Sequence, residues 1–259
     1  MRSRIFSTCA VAATFFTANT HFAHASITPT DEIQVYDAGI VDQGHFNLTW
    51  HNNFTPNGQS VPAFQNAFAG HHSWNGVTEW AYGVSDWFEA GAYVPVYSLT
   101  GDGHFLIDGA KLRALFVVPH ADSRTFFYGV NFELSYNAKR WDESRWSGEI
   151  RPIVGARFGA LDVIVNPIID TSFNGFKNLE FAPAERVAYN LPNGVAVAVE
   201  HYSDYGRFSG FVPTAQQDHT VFGVVDFKIR TFDIEFGAGH GFTAVGDKLV
   251  LKLLIAHDF

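Results

Sequence analysis

Two side chains in this sequence have the types and the spacing that could support nucleophilic catalysis. His201 and Ser203 are two residues apart, so on an extended strand they lie on the same face. A histidine beside a serine can take the hydroxyl proton and activate the oxygen, provided that a third polar group orients the imidazole. The chemistry open to this pair is acyl transfer, and it depends on the element that carries the pair.

That element is predicted to be a strand with one apolar face. Val195, Val197 and Val199 share the face of His201 and Ser203, whereas Glu200 points the other way. A His-x-Ser pair on a lipid-facing strand resembles the dyad of outer-membrane phospholipase A and of lipid A deacylase. The resemblance implies a lipid acyl hydrolase as an alternative function. This sequence departs from that pattern at position 215, where the pattern has an Asn and this chain has Ala215. Gln216 or Asp218 would have to take the role of that Asn.

Charged residues on the predicted strands form a second candidate site. They alternate with apolar residues, so they share one face, which in a membrane barrel lines the lumen. Such a lining favours either a weakly cation-preferring selectivity surface or salt-bridge ladders that hold the barrel and narrow it, and both interpretations stay open. With Glu79, the lumen candidates are Glu89, Lys111, Arg113, Glu133, Glu149, Arg151, Arg157, Asp162, Glu200, Asp226, Lys228, Asp233, Glu235 and Lys252.

The alternation behind this assignment is clearest in two segments. Residues 126–136 place Phe, Tyr, Val and Leu on one face and Gly, Asn, Glu and Ser on the other, which is a strong strand signal. The last twelve residues, 248–259, are aliphatic on one face, carry Lys252 on the other and end in Phe259. This segment resembles the closing strand of a bacterial outer-membrane barrel, in which the terminal aromatic residue is the membrane-insertion signal for the barrel assembly machinery.

The whole chain after residue 43 continues this pattern. We count about twelve strands, with connections that alternate between long loops, such as 54–63 and 99–109, and tight turns, such as 85–86 and 159–160. The predicted fold class is therefore all-β, a transmembrane antiparallel up-and-down β-barrel. A soluble β-sandwich is disfavoured because it would have to bury the charged face in its core.

The beginning of the chain predicts export. Arg2 and Arg4, an apolar stretch and the small-residue sequence 23–25 have the order of a secretory signal peptide, which we expect to be cleaved after Ala25. Residues 26–43 then form a periplasmic tail or a plug, and 44–259 form the barrel. The only cysteine, Cys9, lies in the signal, so the mature chain would have no thiol chemistry. The predicted location is the outer membrane of a Gram-negative bacterium, with its lipid as a partner.

Composition narrows the function further. Charged residues make up 17% and aromatic residues 16% of the chain, which suits a barrel better than a soluble enzyme. A net charge of -9 argues against a nucleic-acid partner. The histidines, including His71 and His72, have no companion ligands at metal-binding spacing, so we expect no metal and no cofactor.

Two stretches resemble one known family. Residues 79–95 (EWAYGVSDWFEAGAYVP) and 199–206 (VEHYSDYG) are similar to strand ends of the outer-membrane transporters associated with the meta-type phenol-degradation pathway. The resemblance implies passage of small, aromatic or hydrophobic molecules. The leading expectation is thus a passive pore or transporter. The alternatives are the lipid hydrolase and a closed structural barrel.

Overall fold

The structure is a computed structural model that describes residues 30–259. The predicted signal peptide lies outside the described residues. Within 30–259, no helix is long and apolar enough to cross a bilayer.

Twelve strands close the barrel and two short ones extend it. The strands are β1 (Phe46–Asn57), β2 (Trp74–Ser85), β3 (Phe88–Leu99), β4 (Phe105–Val117), β5 (Phe126–Asn137), β6 (Trp146–Phe158), β7 (Leu161–Asn166), β8 (Ile169–Thr171), β9 (Glu180–Phe181), β10 (Ala184–Asn190), β11 (Ala196–Asp204), β12 (Asp218–Ile229), β13 (Phe232–Gly241) and β14 (Leu249–Asp258). All paired strands are antiparallel, and β1 pairs with both β2 and β14, so the sheet closes on itself. The predicted fold class is confirmed.

The two ends of the barrel differ. At one end, which we call the terminal end, β1 begins and β14 ends, and the Phe259 N–H donates to the carbonyl of Phe46 at 2.8 Å. The opposite end, the loop end, carries the connections at 58–73, 138–145 and 205–217. The predicted strict alternation of loop lengths is wrong at one place. The terminal-end connection 118–125 has 8 residues, because a 3₁₀ turn there packs Ala121 into the barrel, whereas the loop-end connection 100–104 has 5.

The outward face of the barrel is apolar and is bordered by aromatic side chains. Leu112, Leu134, Val154, Val187 and Val199 are exposed there, each by 41% or more of its surface. Exposed aromatics stand at the strand ends. At the terminal end they are Phe46, Tyr82, Phe126, Phe158, Tyr189 and Phe232, and at the loop end Trp74, Phe105, Tyr136 and Trp146. An apolar band between two aromatic girdles is the surface that a bilayer requires of a barrel.

Two local predictions fail for backbone reasons. An uninterrupted period of two along β3 places Val94 and Val96 on the same face, but Val94 is exposed and Val96 is buried inside the barrel. A register shift in the β2–β3 pairing between Tyr93 and Val96 turns the strand over at this point. We also expected 99–109 to be a loop, yet β4 begins at Phe105, which pairs with Leu99.

Residues 30–43, which we call the inner segment, run inside the barrel. Thr30 lies opposite Asn53 towards the loop end of β1, and Gln43 bridges to Gly83 near the terminal end of β2. Its apolar side chains Val35, Tyr36 and Ala38 are at most 5% exposed and pack against the inward faces of β4 to β7 and β10. The inner segment therefore crosses the lumen.

Candidate functional site

The inner segment is fastened to the barrel wall through its backbone. Asn166 clasps Tyr36: the Tyr36 N–H donates to Asn166 Oδ1 at 2.7 Å, and Asn166 Nδ2 donates to the Tyr36 carbonyl at 3.0 Å. On the other wall, Asn53 Nδ2 donates to the carbonyls of Thr30 and Asp31 at 2.9 and 3.0 Å. These bonds satisfy peptide groups that would otherwise be buried without partners.

Charged side chains of the wall hold further points of the inner segment. Lys252 Nζ donates to the carbonyl of Ile33 at 3.2 Å, and Arg151 Nη1 to that of Gln34 at 3.1 Å. The N–H of Val41 donates to Glu89 Oε2 at 2.6 Å. Three predicted lumen residues thus bind the segment.

Tyr36 stands between two arginines at the centre of the lumen. The Arg151 guanidinium lies 4.4 Å from the centroid of the Tyr36 ring, and Arg113 Nη1 donates to the Tyr36 hydroxyl at 3.2 Å. The same hydroxyl is hydrogen-bonded to that of Tyr93. Arg113 in turn pairs with Glu79 at 2.5 Å and with Glu89. The ring is fixed on both its face and its edge.

A second charged cluster fills the lumen beside β10 to β14. Lys252 is fully buried and pairs with Glu200 and Glu235, each at 2.5 Å. Arg186 pairs with Glu200 and Asp226, and with Glu235 at 3.3 Å. Two cations and three carboxylates share one network, and each of the three carboxylates lies within salt-bridge distance of at least one cation.

A third cluster joins the wall to the acidic start of the inner segment. Lys111 Nζ lies 2.8 Å from Asp31 and 3.6 Å from Glu133. Arg151 lies 2.6 Å from Glu149 and 3.5 Å from an oxygen of Glu32.

Four of the predicted lumen residues stand apart, at the terminal end. Arg157 donates to the carbonyls of Ala121 and Arg124 at 2.6 and 3.0 Å. Asp162 accepts from Asn190, and Lys228 pairs with Asp233 at 3.1 Å where both are more than half exposed. These side chains hold turns and the rim of the barrel and do not join the central clusters.

The inner segment divides the lumen into compartments. A terminal-end cavity of about 500 Å³ is bounded by Tyr36, Glu89 and Arg113. A loop-end cavity of about 520 Å³ leads to Glu133 and Glu149, and an intermediate one of about 270 Å³ lies beside Gln34 and Arg151. The terminal-end and intermediate cavities meet at Gln34. The partition is therefore formed by residues 34–36 with the two arginines.

Both large cavities are rich in carboxylates. The loop-end cavity has two basic side chains, Lys111 and Arg207, against seven acidic ones, which are Glu133, Asp142, Glu143, Glu149, Asp170, Glu180 and Asp204. The terminal-end cavity has Arg113 and His45 against Asp37, Asp42, Glu79, Glu89, Asp233 and Asp258. Among the loop carboxylates, burial raises the pKa of Asp142 and that of Asp247. Acidic side chains therefore outnumber basic ones in both cavities.

Several central residues were missed by sequence reasoning. Arg186 shares the face opposite Val187, so the alternation in β10 was a signal that could have identified it. Asp31, Glu32 and Tyr36 lay in a segment that showed no strand period, and the sequence held no signal for their partners on distant strands.

The His201 and Ser203 side chains do not form a nucleophile–base pair. His201 Nδ1 is 2.9 Å from Glu185 Oε2, and its Nε2 is 3.2 Å from His219 Nδ1. Ser203 Oγ donates to the carbonyl of Pro183 at 3.2 Å instead. Within residues 30–259, no group of three or more His, Cys, Asp or Glu side chains is arranged to hold a metal.

Comparison with known proteins finds structural neighbours at low sequence identity. No family model and no curated protein matches it. The COG4313 outer-membrane channel from Pseudomonas putida F1 superposes with a TM-score of 0.55 at 11% identity, over 88% of this chain and 100% of that one. The NanC porin gives 0.54 at 6% identity, over 82% and 98%.

The KdgM porin, solved in complex with disordered oligogalacturonate, gives 0.52 at 10% identity, over 82% of this chain and 99% of that one. At these identities the likeness concerns the fold alone. The chain has the closed antiparallel β-barrel fold that is found in outer-membrane channels and porins.

Proposed function

We propose that this chain is a passive pore for small molecules in the outer membrane, with the inner segment as its constriction. The observation that carries the proposal is the row of three cavities along the barrel. The acid-lined terminal-end cavity meets the intermediate one at Gln34, and the intermediate cavity shares Lys111 and Glu149 with the acid-lined loop-end cavity. Side chains fill most of a small barrel, so three cavities in a row are more than packing requires. The fold of the channels and porins described above supports the same function.

The lining favours cations and neutral polar molecules. Carboxylates outnumber basic groups in both cavities, and a charged ring selects against ions of its own sign. The resemblance of 79–95 and 199–206 to the phenol-pathway transporters adds small aromatic molecules as a cargo class. The exposed apolar band and the girdles support outer-membrane lipid as the surroundings of the barrel, and Phe259 at the end of β14 as its insertion signal to the assembly machinery.

Single-channel recording of the refolded mature chain in a planar bilayer tests the pore. We expect discrete conductance steps with a preference for K⁺ over Cl⁻ in a salt gradient. Tyr36→Ala removes the ring from the partition and should enlarge the steps several-fold. Tyr128→Ala, which changes an outward-facing tyrosine, is the control and should leave them unchanged. Silence at every voltage in both the wild type and Tyr36→Ala would show a closed structural barrel and overturn the proposal.

A further inference from the structure

A fourth cavity, which we call the side pocket, lies inside the barrel towards the loop end of β1, β2, β12 and β14. Its volume is about 110 Å³, and it adjoins the intermediate cavity, with which it shares four lining residues. The lining consists of the shared residues Thr30, Glu32, Tyr202 and Asp218, and of Ile33, Asn53, Thr55, Gly70, Asn75, Thr220, Phe222, Asp247 and Val250.

The charged residues that line the side pocket are all acidic. They are Glu32, Asp218 and Asp247, and none of the lining residues within 30–259 is Lys, Arg or His. Two lumen cations lie nearby but are paired with other groups. Lys252 pairs with Glu200 and Glu235, and Arg151 approaches Glu32 only through Oε1, at 3.5 Å. The side pocket therefore has an excess of negative charge.

Three oxygen atoms of the lining residues are buried and have no hydrogen-bond partner among the described residues. They are Oδ1 of Asn53, Oδ1 of Asn75 and Oε2 of Glu32. Asn53 and Asn75 lie directly opposite each other on β1 and β2, and each is 1% exposed. Buried acceptors without a donor cost free energy, so a group with several N–H donors would be stabilised here.

The two amide oxygens cannot be exchanged for donors by turning the side chains over, because both amide nitrogens are already engaged. Asn53 Nδ2 donates to two carbonyls of the inner segment at 2.9 and 3.0 Å, and Asn75 Nδ2 donates to Ser73 Oγ at 2.9 Å. Both amides therefore present acceptors only.

One wall of the side pocket is apolar. Phe222 and Val250 are at most 6% exposed, and Ile33 packs against the same cluster. Apolar walls with a few fixed polar groups are typical of sites for small organic ligands. Because an engineered cavity of about 150 Å³ holds a benzene molecule, the side pocket has room for about five non-hydrogen atoms.

We propose that the side pocket binds small primary ammonium ions that carry a short alkyl chain. A primary ammonium group has one positive charge and three N–H donors, which equals the number of buried oxygens without a donor. Water brings two donors and no charge. A hard metal ion such as Ca²⁺ takes about six to eight oxygen ligands, whereas one wall of this pocket is apolar.

The inference goes beyond the proposed pore, because the site would exist equally in a barrel that does not conduct. Binding is therefore measured without any current. Isothermal titration calorimetry of the refolded mature chain in detergent at pH 7 uses n-butylammonium chloride as the probe. Tetramethylammonium chloride has the same charge without N–H donors, and 1-butanol has the same alkyl chain without the charge. We expect saturable binding of n-butylammonium at one site, and binding of the other two at least tenfold weaker.

Asn75→Leu removes one acceptor with little change in side-chain size. Because Asn75 Oδ1 has no partner among the described residues, the substitution should leave the barrel folded, which circular dichroism checks. We expect the dissociation constant of n-butylammonium to rise at least tenfold.

Asn131→Leu is the matched control. Asn131 is also fully buried, its Nδ2 donates to a residue two positions away, Glu133, and its Oδ1 likewise has no partner among the described residues. It does not line the side pocket. This variant should bind n-butylammonium as the wild type does.

Glu32→Gln keeps the side-chain size, removes the charge and should weaken binding at least fivefold, so it tests the site even if Asn75→Leu fails to fold. Wild-type affinity in both variants would place the amine in another acidic cavity and overturn the proposal. Tetramethylammonium that binds as tightly as n-butylammonium would show charge attraction alone, and no saturable binding would show a pocket that holds water only; either result also overturns it. A wild type that binds the amine as expected but stays silent in single-channel recording would overturn the pore and support this site.

Discussion

Asn166 holds Tyr36 by both of its backbone groups, across 130 residues of sequence. The Asn166 side-chain amide pairs with Tyr36 as a backbone amide does in a β-sheet: its Nδ2 donates to the Tyr36 carbonyl at 3.0 Å, and its Oδ1 accepts from the Tyr36 N–H at 2.7 Å. Both residues are buried. These two hydrogen bonds are among the contacts that fix the position of the partition in the lumen.

Weakening the hydrogen bonds between Asn166 and Tyr36 should make the inner segment more mobile in the lumen. Asn166→Asp loses the donor and sets a carboxylate against the Tyr36 carbonyl, a change that costs about 1–3 kcal/mol for the unsatisfied group. We expect larger and noisier conductance steps, and faster cleavage of residues 30–43 by added protease. Asn193→Asp, in the exposed terminal-end turn between β10 and β11, is the control. Steps identical to wild type would mean that the clasp does not position the segment.

Removing the buried lysine should destabilise the barrel. Lys252→Met leaves Arg186 as the only cation paired with Glu200 and Glu235, and breaking a buried pair costs about 3–5 kcal/mol. The free energy of unfolding of the vesicle-reconstituted barrel in guanidinium measures the loss. The double variant Lys252→Met/Glu200→Gln should regain part of it, and a double variant as unstable as the sum of both single changes would contradict the coupling.

Charge removal at the partition should sharpen ion selectivity. Arg113→Gln leaves Glu79 and Glu89 uncompensated beside Tyr36, so the reversal potential in a KCl gradient should move further towards the K⁺ value. Lys228→Gln, whose ion pair is exposed at the terminal end, should move it by much less. A shift towards Cl⁻ in Arg113→Gln would show that these carboxylates do not face the ion path.

The selectivity should depend on pH through the loop-end cavity. Burial raises the pKa of Asp142, so this carboxyl takes up its proton earlier than an ordinary aspartate as the pH falls. Cation preference should therefore start to decrease at a higher pH than an ordinary aspartate would give, and Asp142→Asn should have the lower preference already at pH 7 with a smaller further change as the pH falls. A pH profile of selectivity that Asp142→Asn leaves unaltered would show that Asp142 does not contribute to the pH dependence.

The raised pKa of Asp142 also affects the stability of the fold. The folded state binds the proton of this carboxyl more tightly than the unfolded state does. The group therefore favours folding at low pH, and this stabilisation is lost as the pH rises through its folded pKa.

Lipid hydrolysis should be absent. Both ring nitrogens of His201 are engaged by Glu185 and His219, and Ser203 donates to a backbone carbonyl. Fatty-acid release from phospholipid vesicles should be at background for the wild type and for Ser203→Ala alike. Release that Ser203→Ala abolishes would establish the enzyme.

Residue spacing alone was sufficient to predict the faces of most strands. The period of two in β5 and β14 set Glu133 and Lys252 inward and Leu134 and Leu253 outward, because every strand of a membrane barrel meets lipid on one side and the lumen on the other. Where a bulge interrupts the strand, as before Val96, the rule fails, since one extra residue turns every later side chain over.

The partners of the lumen residues could not be predicted in the same way. Arg151 contacts Glu149 two residues away, but also Glu32 and Tyr36 of a segment with no period of its own. Which charges meet depends on the register of closure and on the path of residues 30–43, and both are decided by contacts between distant parts of the chain.

The acidic residues at the start of the inner segment also affect how a solute can bind to the basic side chains of the barrel wall. Asp31 and Glu32 are covalently joined to β1 by a short stretch of chain, so they present carboxylates to Lys111 and Arg151 at an effective concentration in the millimolar range or above. A free carboxylate arriving from either end must compete with this tethered ligand. In the proposed pore, the inner segment would therefore act as a built-in competitive inhibitor for anions, whereas neutral molecules and cations would enter without displacing it.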